Sequence, residues 1–116
     1  MPTTSLTQPL YVAKAELFKS LGHPARIRIL ELLAEKDQPV AVLQAEVGLE
    51  SSALSQQLAV LKRTGLVASH RTGNAVTYRL TDPSVPVFLS AARAVLGATL
   101  DRTREALAHL ESVRSS

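Results

Sequence analysis

The sequence predicts a mainly α-helical fold with one small β-hairpin, in the order α1-α2-α3-α4-β-β-α5, and three observations predict it. Apolar residues recur at spacings of three and four over residues 9–35, 40–64 and 84–113, the period of helices with one buried face. Over residues 66–80 the period changes to two, with Thr72-Gly73-Asn74 in the middle. Aromatic residues make up only 3% of a chain that is 46% apolar, so Leu, Val, Ile and Ala must build the core. That composition suits packed helices better than a β-sandwich.

The elements follow in order. Residues 1–8 read as a polar, flexible tail. A first helix over 9–21 carries Leu10, Ala13, Leu17 and Leu21 on one side, and Gly22 stops it. Pro24 suits the first turn of a second helix over 24–35, with Ile27, Leu30 and Leu33 on its apolar face and Ile29 and Leu32 widening it. A polar break over 36–39 precedes a third helix over 40–47, closed by Gly48. A fourth begins at Ser51 or Ser52, either of which can cap its free N–H groups, and runs to about Thr64 before Gly65. Two short helices joined by a tight turn, the second ending in Gly, outline a helix-turn-helix. Strands over 66–71 and 75–80 flank hairpin chemistry at Thr72-Gly73-Asn74, where Gly and Asn tolerate positive φ. Asp82-Pro83 ends the sheet. A long helix over 84–113 then places Phe88, Ala92, Val95, Thr99 and Leu107 near one side.

Bulk properties narrow the function. A chain of 116 residues is one domain's worth and leaves no room for a separate catalytic module. It contains no cysteine, which removes disulfides, thiolate metal ligands and thiol redox chemistry. No unbroken apolar run approaches the roughly 20 residues of a membrane span, so no membrane partner is expected. Residues 1–9 lack a basic and apolar leader pattern, so a cytoplasmic location is expected. The net charge is only +3, but its distribution is uneven. Between Ser51 and Thr81 stand Lys62, Arg63, Arg71 and Arg79 with no Asp or Glu, while the rest of the chain is slightly acidic. Such a tract is either a polyanion-facing surface or a solvated face that happens to lack acids.

The fourth helix decides between them. At 100° per residue, Leu54, Leu58 and Leu61 fall together toward the core. Ser52, Gln56, Ala59 and Arg63 form the opposite stripe, with Ser55 and Lys62 on one flank. Small and amide residues near the N-terminus, with cations near the C-terminus, suit a helix that reads DNA. Serine and alanine let the backbone approach the groove floor, and Gln pairs bidentately with adenine. An ordinary surface helix would mix Glu with Lys on that face, and here no carboxylate appears on it. In the hairpin, His70, Arg71 and Arg79 flank the Gly73-Asn74 tip, placed to reach phosphates or a minor groove. Arg79 has a second reading, as the partner of a carboxylate on another helix.

The stretches LFKSLGHPARIRILELLAE, VGLESSALSQQLAVLKRTGLV and RTGNAVTYRL resemble the ArsR/SmtB-type winged helix-turn-helix regulators over about residues 10–81. The last helix fits by position rather than by motif. The resemblance implies a symmetric homodimer built from the first and last helices, with two recognition helices in successive major grooves of double-stranded DNA. It places Ser52, Ser55, Gln56 and Gln57 at DNA-facing positions; a His is common where Gln57 stands. Arg26 matches a position usually filled by Arg, read either as a contact near the DNA or as a helix–helix salt bridge, the latter favoured. The whole of 1–116 is then one DNA-binding domain, with the helix-turn-helix at 40–64, the wing at 66–80 and a dimerisation helix at 84–113.

Many members of that family sense metals. Their cysteine site is absent here. Their other site lies between the last helices of the dimer and uses Asp, His and Glu; Asp101, Glu105 and His109 recur every four residues, but in the wrong spacing and with one His. Surface charge pairing with Arg102 and Arg104 accounts better for them. No metal or cofactor is therefore expected, His23 is a junction residue, and the residues name no effector. The expected function is a sequence-specific regulator, a repressor at an inverted-repeat operator. The alternative is a winged-helix module for protein–protein contact. No convergent acid/base set or phosphate loop points to an enzyme.

Overall fold

The computed structural model describes residues 8–115, so nearly all of the tail expected at 1–8 lies outside the described residues. Within it the order is α1 (Leu10–Leu21), α2 (Pro24–Glu35), β1 (Gln38–Pro39), α3 (Val40–Val47), α4 (Ser51–Arg63), β2 (Val67–Thr72), β3 (Ala75–Leu80) and α5 (Ser84–Ser115). The contacts divide the chain into one unit ending at Val85 and another beginning at Pro86.

In the first unit the core is aliphatic. Ile29 and Leu30 of α2, Leu43 of α3 and Leu61 of α4 are fully buried, with Leu33, Leu54, Leu58 and Val67 closing around them. The second helix starts as its sequence suggests. Pro24 occupies the first turn, and the His23 side chain caps it by accepting the Ala25 N–H on Nδ1 at 3.1 Å. The α3–α4 turn needs Gly48, whose φ of 76° is left-handed.

Several bounds move by one or two residues, and two differences bear on the site: α4 begins at Ser51, one of the two expected starts, but without the expected serine cap, and the wing starts later. The extended residue ahead of α4 is Glu50, and its side chain caps nothing. Ser51 and Ser52 are already helical, so neither is the cap, and the first N–H groups of α4 are left without a side-chain acceptor. The wing begins at Val67 rather than Leu66 because the end of α4 claims Leu66. The Gly65 N–H bonds Lys62 O at 3.1 Å and the Leu66 N–H bonds Leu61 O at 3.0 Å, a Schellman closure with Gly65 at φ 83°.

The sheet has three strands, β1-β3-β2, all antiparallel. The extra strand, β1, pairs Gln38 with Tyr78 and Pro39 with Thr77, in the segment expected to be a plain break. Its place at the sheet edge explains why Pro39 is tolerated, since an edge strand need not donate on both sides. The hairpin loop is the two residues Gly73-Asn74, with only Gly73 at positive φ (62°), the sign pattern of a type II′ turn. Thr81 closes the base of the wing, its hydroxyl donating to Gly65 O at 2.7 Å.

Asp82 anchors the chain before α5 by accepting the Ser84 N–H at 2.8 Å, and hydrogen bonding from the Ser84 side chain, together with that backbone N–H, holds its carboxyl below the ordinary aspartate range. A lowered folded-state value means stability that is present above the ordinary value of 3.8 and lost as pH falls through the lowered one. Asp82→Ala should therefore lower the thermal midpoint slightly at neutral pH and change it little in acid, below the lowered value, so that the acid limb of the midpoint against pH is flatter.

The second unit holds α5 from Pro86 onward; the whole helix is 32 residues long and has no buried residue. Val95, Leu96, Leu100, Leu107, Leu110 and Val113 are all exposed. The most apolar 18-residue window of this helix averages a hydropathy of 1.2, so by length and composition alone it qualifies as a membrane span. That departs from the sequence expectation, which considered only unbroken apolar runs; Val, Leu and Ala keep the average high although polar residues interrupt them.

Candidate nucleic-acid interface

Leu54, Leu58 and Leu61 fix the rotation of α4 by pointing inward, which turns Ser52, Ser55, Gln56, Ala59 and Arg63 outward and exposes them. Among the described residues, the side chains of Ser51, Ser52, Ser55, Gln56 and Arg63 take part in no hydrogen bond or ion pair within the chain. Ser52 and Arg63 stand eleven residues apart, about 16 Å along the axis. The N-terminal part of this face is therefore a neutral, uncommitted hydrogen-bonding surface. Its end is a set of bare helix N–H groups that carry partial positive charge.

The flanks of α4 are tied down. Lys62 donates to Ser69 Oγ of the wing at 2.9 Å, which joins the helix to β2. Gln57 is half-buried and its Oε1 accepts from Arg26 Nε at 2.8 Å. Arg26 Nη1 also donates to Ser20 O at the end of α1, at 2.7 Å. The salt bridge favoured for Arg26 is replaced by two bonds to neutral acceptors, and among the described residues no carboxylate forms an ion pair with it. The ion pairs of this unit lie elsewhere, from Arg28 to Glu31 and Glu46, each at 3.7 Å.

In the wing, the register divides the candidates. His70 pairs with Thr77 and Ala68 with Arg79, so His70 and Arg79 share one face of the hairpin. Arg71 pairs with Val76 and lies on the other face, with Ser69 and Val67, the side joined to α4. Asn74 stands in the loop, exposed. Arg79 is exposed and makes no ion pair among the described residues, which removes the carboxylate reading for it within the chain.

A groove of about 610 Å³, unsuspected from the sequence, opens between α1 and the far end of α4. Lys19, Arg26, Arg63 and Glu16 line it with Leu17 and Val60. Arg63 thus sits at the edge of two surfaces, the outward stripe and this groove. In α5, Asp101 lies 3.9 Å from Arg104, an exposed helix-surface pair. Among the described residues no group of three or more His, Asp or Glu comes together in a way that could hold a metal ion.

Comparison with known proteins agrees with this geometry. A family model described as bacterial regulatory protein, arsR family, matches residues 23–69, from the α2 cap through the start of the wing. The chain is 52% identical over 110 residues to the HTH-type transcriptional regulator Rv0081 of Mycobacterium tuberculosis, covering 94% of each. The crystal structure of that regulator matches with a TM-score of 0.78 and 55% identity, over 83% of this chain and 97% of the other. The biofilm growth-associated repressor of Xylella fastidiosa is 35% identical over 66% of this chain and 68% of its own. A homodimeric winged helix-turn-helix DNA-binding domain from Mycobacterium bovis matches with a TM-score of 0.73 at 25% identity, over 88% of this chain and 92% of the other.

Proposed function

The chain belongs to the arsR family of bacterial regulatory proteins, and on that premise we propose that it is a transcriptional repressor that binds an inverted-repeat operator as a homodimer. The observation that carries the reading is the outward face of α4: exposed hydroxyls and an amide, none engaged within the chain, with no carboxylate among them. Ser52, Ser55 and Gln56 read base edges in the major groove, Gln56 being the side chain free to pair with adenine. Ser51 and the uncapped N–H groups of α4 take a phosphate. Gln57 offers its amide N–H, while Lys62 and Arg63 add positive charge toward the end of the helix. Arg71, His70, Asn74 and Arg79 carry the wing along the backbone or into the neighbouring minor groove.

The same reading gives α1 and α5 a partner. A 32-residue helix with no buried side chain gains little from its own hydrogen bonds, since helical stability comes mostly from packing one face. The apolar residues of α5 form a stripe and its charges lie mainly on the other side, the pattern of a helix packed against protein rather than one surrounded by lipid. In α1, Leu10 and Tyr11 are exposed at 70% and 75%. We therefore assign both helices to the dimer interface, and the protein to the cytoplasm, where its DNA is.

Selection from a pool of random-sequence duplexes tests the proposal. It should yield an imperfect inverted repeat whose half-site centres lie about 10 bp, or a multiple of that, apart. Affinity for the selected duplex should fall steeply with salt, and Arg79→Ala should reduce the slope by about two, one phosphate contact for each protomer of the dimer. Enrichment of no common sequence would contradict specific binding. An unchanged slope in Arg79→Ala would remove that residue from the contact.

A further inference from the structure

We propose that Arg26 is a positioning residue for sequence reading: it fixes α4 on the domain and turns the donor end of the Gln57 amide toward DNA. The proposal rests on the DNA-binding reading above and goes beyond it, because Arg26 lies on α2, outside the helix-turn-helix.

One half-buried guanidinium joins three helices. It starts on α2, holds the Ser20 carbonyl at the end of α1 at 2.7 Å, and holds Gln57 in the middle of α4 at 2.8 Å. Both distances are those of well-formed bonds. The planar fork of arginine fixes the two acceptors relative to each other, which a lysine ammonium cannot do. The Ser20 carbonyl belongs to the last turn of α1, where backbone acceptors lack helical partners and a cation is favoured.

The consequence for Gln57 is chemical. A guanidinium has donors only, so the atom it meets must be the amide oxygen, and the amide nitrogen becomes the free end. The Gln57 oxygen is thereby turned toward Arg26, and the nitrogen is the end of the amide left to face DNA. It donates there to an acceptor, a phosphate oxygen or a base-edge acceptor, rather than making the paired contact of a free amide with adenine. Gln56, its neighbour, is exposed and keeps both functions. A residue 31 positions from Gln57 thus sets a chemical difference between adjacent glutamines.

The test compares wild type, Arg26→Leu, Gln57→Met and the double variant as full chains, on the selected duplex and on a scrambled one. Wild-type preference for the selected duplex is the control for the DNA-binding reading itself; its loss would sink that reading before this one is reached. Each single variant should weaken binding to the selected duplex by about tenfold per half-site, as expected for loss of one charged hydrogen bond, and weaken binding to the scrambled duplex by less. The double variant should be no weaker than the weaker single one, and the salt slope should stay constant. Arg26→Lys, which keeps the charge and most of the volume, should lose the same discrimination while keeping its thermal midpoint.

Fully additive losses would overturn the proposal. So would an Arg26→Leu variant whose slope falls by about two, one for each protomer, with equal loss on both duplexes, since that marks a direct phosphate contact. For the donor edge, Gln57→Met should abolish the effect of either one base change or one neutral methylphosphonate, which distinguishes a base acceptor from a phosphate. If it abolishes neither, Gln57 does not donate to DNA.

Discussion

Leu100→Glu combined with Leu107→Glu should convert the protein to a monomer and reduce operator affinity by on the order of a thousandfold. Both side chains lie in the apolar stripe of α5 and are about half exposed, at 48% and 55%. Two carboxylates there oppose two more across a symmetric interface, where an unpaired charge is costly to bury. The loss on DNA follows from linkage rather than from any lost contact. In a dimer the second half-site is bound intramolecularly at high effective concentration, and that gain is typically 10² to 10⁴-fold. Sedimentation and operator titration should therefore change together. Glu105→Gln, on the charged side of the same helix, should change neither. A monomer that kept full operator affinity would contradict the role given to α5.

Leu61→Ala should have the largest effect on the fold itself. The side chain is fully buried at the junction of α4 with the wing, and removing it deletes apolar contacts and leaves a cavity. Such changes cost about 2–5 kcal/mol, a large part of the total stability of a small domain. The Leu61 carbonyl also receives the Leu66 N–H and the Thr64 hydroxyl, each at 3.0 Å, so the closure of α4 loosens with its packing. Urea unfolding should show a lower midpoint with a similar slope. The conservative Leu61→Met should recover most of the loss, since volume-conserving exchanges are tolerated best.

What the sequence made legible, and what it did not, divides by range. The five helices follow a period set by neighbours three and four residues apart, and α2 and α3 have the bounds expected for them. The inward and outward faces of α4 were readable for the same reason, since three leucines fix the wheel. The strand at Gln38–Pro39 was not readable, because two residues carry no period and their partners on β3 lie some 40 positions away. Leu66 reads as a strand residue by hydrophobicity but is claimed by the helix end, a matter of backbone hydrogen bonds. The serine cap failed because Glu50 takes the extended conformation and so shifts the helix start back by one residue. The Arg26–Gln57 bond and the groove beside Arg63 exist only after three helices have packed, so no local pattern announces them.

The residues that carry the functional reading are therefore those with nothing to do inside the chain. Ser52, Ser55 and Gln56 stabilise no part of the fold. Their arrangement on one face of α4 gains a purpose only when that helix lies in a groove. The most direct measurement is a footprint of the dimer on its selected duplex, combined with interference by methylation of guanine N7, which lies in the major groove. The account predicts two protected patches on one face of the duplex, about one helical turn apart, each with N7 interference at its centre. Gln56→Ala should relax the preference for one adenine in each patch and leave the guanine interference in place, and protection outside the patches should follow the wing. A single patch, or protection confined to the minor groove with N7 methylation harmless, would contradict the placement of α4 in the major groove.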